Sequence, residues 1–397
     1  MVRGRTSDPW RSVKSVVHMQ QQPETSAFLR SCLCLRHEPA LADEVRAGIE
    51  AVSDWRAVLA ACEAERISPL VHQAIGSMGL VPSEVSVSLR HSYRHNVLRH
   101  LFMLGEFGPC LRRLQDAGVD LVVLKGAALA ETVYRNAALR PMGDVDLLVH
   151  RDDVPRAREV LEAEGYTLGR KETHPGVLAE HENEAAFYKN GRIPSAIDLH
   201  WSLFDSPYFQ SRMAMDWFWQ SARPLEIAGQ TTRMLGPEAL LLHLVGHLAL
   251  HHASTGLLWW NDIAEVLRLH EDEIDWSEVL ARAEEYELTL PLRDILSGAA
   301  AHWRAPVPPS ALQSLQAHRP SRQEERVVGA LRAPQQPAGL RFWGDLKTMP
   351  SWRQRLRFAR TNLFPSAAYM RQRYGITRAW LVPFYYPYRW FRGLRGA

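Results

Sequence analysis

Three acidic residues carry the first chemistry this sequence offers. Asp144 and Asp146 stand two apart in Asp144-Val145-Asp146-Leu147-Leu148-Val149, an apolar run that predicts a strand. Residues two apart on a strand share a face, so the two carboxylates project together while Val145 and Leu147 point into the core. Carboxylates so placed repel, and each raises the other's pKa unless a cation lies between them; a hard divalent ion is the natural occupant. Asp198 repeats the arrangement in a second extended run, Ser195 to Leu203, where Ala196, Asp198 and His200 share one face and Ile197 and Leu199 the other. If the two strands are neighbours, three carboxylates can hold two magnesium ions about 4 Å apart and clamp the attacking and leaving oxygens of an in-line displacement at phosphorus. Manganese would suit the same oxygen ligands. Asp198 would then help to hold the ion that activates an acceptor hydroxyl, and could take its proton.

Phosphates also need a cradle. Lys125-Gly126-Ala127 falls between a strand and a helix start, where backbone N–H groups and the positive end of the helix dipole favour an anion. Gly126 lets a triphosphate approach the backbone, and Lys125 either neutralises it or is a surface lysine at a turn. Arg140, four residues before Asp144, contacts a phosphate or pairs with an acid of the site. His200 orients Asp198, touches substrate, or is a hydrogen-bonded structural histidine; Trp201 reads as core.

The surrounding pattern supplies the elements that must hold these groups. Apolar residues at three- and four-residue steps predict helices from Phe28 to Leu114, with Asp54 as a cap before Trp55. The period then changes: Val119 to Leu124 predicts a buried strand, Ala127 to Tyr134 a helix, Asp144 to Val149 a strand, and Val154 to Glu164 a helix ending at Gly165. A short strand at Tyr166 to Leu168 and a hairpin of Glu184 to Lys189 with Ser195 to Leu203, turning near Asn190-Gly191, complete a mixed α/β core at residues 116–235. It sits between an N-terminal helical region, 25–115, and a C-terminal helical domain, 236–335; residues 1–24 read as a disordered polar leader. Pro306 to Gln336, rich in Pro, Ser, Gln and Arg, reads as a linker or a loosely packed stretch.

The remaining polar residues leave alternatives open. His243, His247 and His251 line one helical face, with His252 beside them, and suit a cleft wall or a packed layer better than zinc, since no H-E-x-x-H motif accompanies them. Asp262 is expected to cap a helix or, alternatively, to touch substrate. His174 and His181 lie where they could approach a nucleotide. Cys32, Cys34, Cys62 and Cys110 lack metal or disulfide spacing and read as buried reduced thiols.

Charge is unevenly spread. From residue 341 onward there are eleven Arg and one Lys against one acid, a net of +11, so residues 1–340 carry −8 of the chain's total of +3. The tail, 336–397, also holds fourteen aromatic residues from residue 342 on. That mixture suits an anionic membrane surface, a nucleic acid or an acidic patch of the chain itself; with no nucleic-acid motif present, the nucleic acid is disfavoured. No apolar run approaches the roughly 18 residues that span a bilayer, and no signal-peptide pattern opens the chain, so a cytoplasmic location, peripheral at the membrane if the tail binds it, is the expectation.

Leu124-Lys125-Gly126-Ala127-Ala128-Leu129, Arg140-Pro141-Met142-Gly143-Asp144-Val145-Asp146 and Ile197-Asp198-Leu199-His200-Trp201 together resemble an uncharacterised bacterial nucleotidyltransferase family of the polymerase-β-type superfamily. Leu242 to His247, Trp260 to Ile263 and Leu363 to Ser366 extend the likeness over much of the chain. The resemblance implies an α+β fold with a polymerase-β-like core between helical regions. It also implies metal-dependent transfer of a nucleoside monophosphate, AMP by preference, from an NTP such as ATP to a hydroxyl of an unidentified acceptor, with pyrophosphate released. Gly126-Ala127 departs from the superfamily's usual Gly-Ser or Gly-Gly and lacks a hydroxyl for a phosphate oxygen. A non-catalytic binding or antitoxin-like protein on the same fold, or a membrane-surface accessory of polysaccharide or peptide tailoring, are the other readings.

Overall fold

In the computed structural model, residues 23–76, 78–169, 174, 182–191, 193–332, 338–349 and 351–395 are described. The expected leader therefore lies outside the described residues except for Pro23 and Glu24, which open a helix, and His181 lies outside them too. The chain divides into two units, one of residues 1–97 with 138–141 and one of 98–137 with 142–397.

The first unit is helical: α1 (Pro23–Cys34), α2 (Ala42–Ala51), α3 (Trp55–Ala64), α4 (Ser68–Ile75) and the beginning of α5 (Ser83–Asp116). Asp54 caps α3 as its position predicts, its Oδ1 accepting from the N–H groups of Arg56 and Ala57 at 2.9 and 3.1 Å. Burial of Leu29, Cys32, Val58, Cys62 and Val71 forms the unit's core. All four cysteines are free and buried, and burial raises the thiol pKa values of Cys32, Cys62 and Cys110, which makes them unreactive.

The second unit is α+β, built on one mixed sheet. Its strands are β1 (Leu121–Leu124), β2 (Val145–Val149), β3 (Thr167–Leu168), β4 (Glu184–Lys189), β5 (Ser195–His200), β6 (Arg223–Ile227) and β7 (Gln230–Met234), in the order β3-β4-β5-β2-β1-β7-β6. The central β1 and β2 are antiparallel and buried along their whole length, which is why Leu121 to Leu124 and Val145 to Val149 read as near-continuous apolar runs. β2 pairs in parallel with β5, and β5 in antiparallel with β4.

The β6–β7 hairpin escapes the sequence reading. Its turn is Ala228-Gly229, both left-handed at φ 53° and 71°, the backbone of a two-residue hairpin loop built without the usual Asn-Gly. Pro224 and the alternating exposure of β6 mark it as an edge strand, where burial leaves little apolar signal.

Helices cover the sheet and continue beyond it: α6 (Lys125–Leu129), α7 (Val154–Ala163), α8 (Pro207–Gln210), α9 (Met215–Gln220), α10 (Pro237–Gly246), α11 (Leu257–Leu269), α12 (Trp276–Glu285), α13 (Thr289–Trp303), α14 (Pro309–Ala317) and α15 (Arg322–Arg332). Two expectations fail here. In the stretch Pro306 to Gln336, the described residues 306–332 are no loose linker: α14 and α15 bury Ala311, Leu315 and Val328, and the buried Glu324 carboxylate accepts from Thr289 Oγ1 at 2.8 Å and the Leu290 N–H at 2.7 Å, capping the start of α13. Its polar composition hid sparse but correctly spaced anchors. Asp262 is no helix cap either. It lies inside α11, fully buried, and accepts from the Tyr134 hydroxyl at 2.8 Å, while Asn261 Nδ2 donates to the same oxygen at 2.8 Å. Four further helices, α16 (Ala338–Thr348), α17 (Trp352–Leu363), α18 (Ala367–Tyr374) and α19 (Val382–Arg395), close the chain.

Candidate active site

The sheet register assembles the carboxylates. Asp146 on β2 and Asp198 on β5 are register partners on adjacent parallel strands, and such strands lie about 4.8 Å apart with paired side chains on one face. Asp144 precedes β2 by one residue and is half-buried; it acts electrostatically on both Asp198 and Lys125. Asp198 carries the signature of crowding. Burial, followed by the charges of Asp144 and Asp146, pushes its carboxyl pKa up to about 7.

Asp146 shows the opposite shift, because it has cations to meet. On the other side of β2, Leu124 of β1 is its register partner, and the chain turns sharply there: Lys125 adopts a left-handed φ of 46° at the start of α6. For a residue with a long side chain this conformation is strained by about 1–3 kcal/mol and persists only where its surroundings hold it. The turn accompanies a contact of Lys125 Nζ with Asp146 Oδ1 at 2.7 Å. His200 Nε2 lies 2.9 Å from the same oxygen. Burial alone would raise the Asp146 pKa, but Lys125 and His200 overcome it and hold the carboxyl well below the usual range. Burial opposes the charge on Lys125 too, and Asp146 and Glu184 outweigh it, so the ammonium pKa is raised.

Glu184 is the group the sequence reading missed. It is the register partner of His200 across the β4–β5 hairpin, and its Oε2 lies 3.4 Å from His200 Nδ1, within ion-pair range but without hydrogen-bond geometry. The alternation along β4 could have revealed it, since Glu184 and Ala186 share the face of Asp198 and His200.

Gly126 and Ala127 are buried in α6, which no side chain caps, and the turn runs on through Ala130–Tyr134 in π-helical form. Arg140 belongs to the first unit and is buried; its Nη1 donates to the Pro141 carbonyl at 2.7 Å. The ring of His174 sits 2.8 Å from the Phe364 carbonyl, at the C-terminal helices. Trp201 is core, as read, with its indole N–H donating to the Glu182 carbonyl at 2.7 Å.

The histidine row forms a neighbouring layer. His243 ends near the carboxylate face, close enough to feel Lys125, His200 and Asp146, and burial holds its pKa and that of His247 well below the usual imidazole range. Neither ring nitrogen of His243 has a hydrogen-bond partner among the described residues. His247 Nε2 lies 3.1 Å from His252 Nε2, and His252 stacks on Trp259 with centroids 3.5 Å apart. Phe204 packs edge-on to His243; Gly246 makes room for it, since a Cβ there would meet the Phe204 ring at 2.2 Å.

These residues fit divalent ions by the chemistry of their donors: hard oxygen ligands, a carboxyl whose pKa is raised by burial and then by its acidic neighbours, and an ammonium drawn to the same cluster. They do not form a finished shell. Among the described residues no group of three His, Cys, Asp or Glu side chains is already disposed as a metal site, and Asp146 Oδ1 is engaged by Lys125 and His200.

No curated protein matches the chain. Among solved structures, an antigenic nucleotidyltransferase-like protein from Paracoccidioides brasiliensis is similar at 17% identity with a TM-score of 0.33, over 53% of this chain and 96% of that one. The model of a family described as uncharacterised nucleotidyltransferase matches residues 51–304, a span that includes every carboxylate of the site. By that match over more than half its length, the chain belongs to this nucleotidyltransferase family.

Proposed function

We propose that the protein transfers a nucleoside monophosphate, AMP by preference, from an NTP to a hydroxyl of an acceptor and releases pyrophosphate. The observation that carries this reading is the in-register pair Asp146 and Asp198, joined by Asp144, with burial and then the two neighbouring acids pushing the Asp198 carboxyl up to about 7. Asp144 and Asp146 would hold two magnesium or manganese ions and Asp198 one of them; when bound, the ions would supply the positive charge that draws the triphosphate and the acceptor oxygen together. Asp198, placed beside Asp146 by the strand register, would lie where it can accept the proton of the acceptor hydroxyl.

Lys125 has two roles in this account. Without the ions its ammonium neutralises Asp146; with a nucleotide present it is in reach of the phosphates beside the uncapped start of α6. His200, gripped between Asp146 and Glu184, fixes the orientation of Asp146.

The Lys125–Asp146 pair also favours a second reading, a non-catalytic binding protein whose lysine permanently replaces the metal. Pyrophosphate release separates the two. Full-length protein with ATP, magnesium and a lysate of acceptors should release pyrophosphate and leave a nucleotide adduct visible by mass spectrometry. No release with any of the four NTPs, in magnesium or manganese, would leave the binding reading.

A further inference from the structure

The C-terminal helices present a surface that nucleotidyl transfer does not use. Met370, Ile376 and Val382 form a small core of their own, with Tyr374, Tyr385 and Tyr386 packed against it. Phe342 stacks on Phe358, joining α16 to α17. The Tyr386 hydroxyl donates to the Pro365 carbonyl at 2.7 Å, and the Trp390 indole donates to the Leu363 carbonyl at 2.8 Å, joining α19 to the turn after α17. One set of aromatic side chains is thus spent on folding this region.

A second set faces out. Trp380, Phe384 and Phe391 recur at helical spacing on one face along α19 and the turn before it and are 51–69% exposed, with Tyr388 between them at 48% and also packed on the Tyr374 and Tyr385 rings. On α17, Trp352 and Leu356 do the same at 69% and 62%, among the exposed Arg353, Arg357 and Arg360. The Arg392 guanidinium lies over the Tyr388 ring at 6.0 Å. Large apolar groups exposed in a row, bordered by guanidinium groups, mark a binding surface rather than ordinary surface scatter.

We propose that α17 and α19 dock the protein on an anionic lipid bilayer, with the aromatic row entering the headgroup region and the arginines meeting lipid phosphates. Three observations select this occupant. The segment from residue 341 carries a net +11, the complement of an anionic leaflet, against −8 for the rest of the chain. Tryptophan and tyrosine suit the boundary between headgroups and acyl chains, and arginine stems extend to the phosphates above it. Leu356 offers no ring for a base to stack on, and Phe384 and Phe391 lie on an exposed helix face rather than in a basic groove, which disfavours single-stranded nucleic acid. No described helix is long and apolar enough to cross a membrane, so the contact proposed is with the surface.

Flotation of the full chain with vesicles tests this independently of catalysis. Phosphatidylcholine vesicles containing about 30 mol% phosphatidylglycerol, at about 0.1 M salt, should carry the protein up the gradient, and pure phosphatidylcholine should not. Two triple variants at exposed positions, Trp380→Ser/Phe384→Ser/Phe391→Ser and Arg353→Gln/Arg357→Gln/Arg360→Gln, should each lower the bound fraction by about tenfold or more while melting like the parent. Equal flotation with both lipids, undiminished flotation of the aromatic variant, or binding of polyuridine RNA without flotation would overturn the proposal.

Discussion

The carboxylate face of the sheet and the histidine row of α10 are both polar clusters in a buried setting, and both arise from residues repeating at the period of their element. Their electrostatics differ. On the sheet, Asp146 is held charged by Lys125 and His200, while Asp198, beside two other acids, has its pKa pushed up to about 7. In the histidine row burial keeps His243 and His247 neutral, and the His243 nitrogens have no partner among the described residues. The first cluster has an excess of negative charge, which a proton on Asp198 or a further cation relieves; the second has none to relieve. Periodic polar residues therefore mark a candidate site only when their charges fail to cancel.

This contrast can be broken by substitution. The largest effect expected is on turnover: Asp146→Asn should lower pyrophosphate release by about 10³-fold, and His243→Leu by less than tenfold, in the same assay. Stability comes next. Lys125→Met and Asp146→Asn should each destabilise by about 3 kcal/mol in denaturant titrations, since each strands a buried charge, and the double variant should recover much of the loss. Strict additivity would mean that the 2.7 Å contact contributes nothing. His243→Leu should instead change stability by no more than about 1 kcal/mol in either direction, because it removes an imidazole whose nitrogens are unpaired; a loss above about 2 kcal/mol would reveal a bound water or other partner.

The smallest effect is in pH dependence. Asp198 has a folded pKa of about 7, raised from 3.8, so between these values the folded protein holds a proton that the unfolded chain has released. Its contribution to stability therefore falls as pH rises through that window. Asp146, with a lowered folded pKa, contributes stability that is present above the unfolded value and lost in more acid solution. Melting temperature without divalent ions should decline from pH 5 to pH 8, Asp198→Asn should flatten the decline, and magnesium should reduce it at the alkaline end.

Much of the site was legible because β2 and β5 are simple. Strict alternation put Asp146 and Asp198 on predictable faces, and strand ends found at Leu124, Val149 and Lys189 agree with those read from the sequence. What stayed hidden depended on pairing across the sheet. Alternation along β4 marks the face of Glu184, but its pairing with His200 needed the register, and Lys125 meets Asp146 from a left-handed backbone that is unusual for lysine. The Tyr134–Asn261–Asp262 network joins residues 127 or 128 positions apart, a separation on which no local pattern reports. Arg140 shows the limit of proximity in sequence: four residues before Asp144, it groups with the other unit.

Manganese binding to the chain without nucleotide, followed by electron paramagnetic resonance, is the sharpest check on the carboxylate cluster. The free-ion signal is expected to fall with the wild type, with affinity lowered by about tenfold or more in Asp198→Asn and binding abolished in Asp146→Asn. A free-ion signal that persists in the wild type, or binding that Asp146→Asn leaves unchanged, would contradict the proposed metal site.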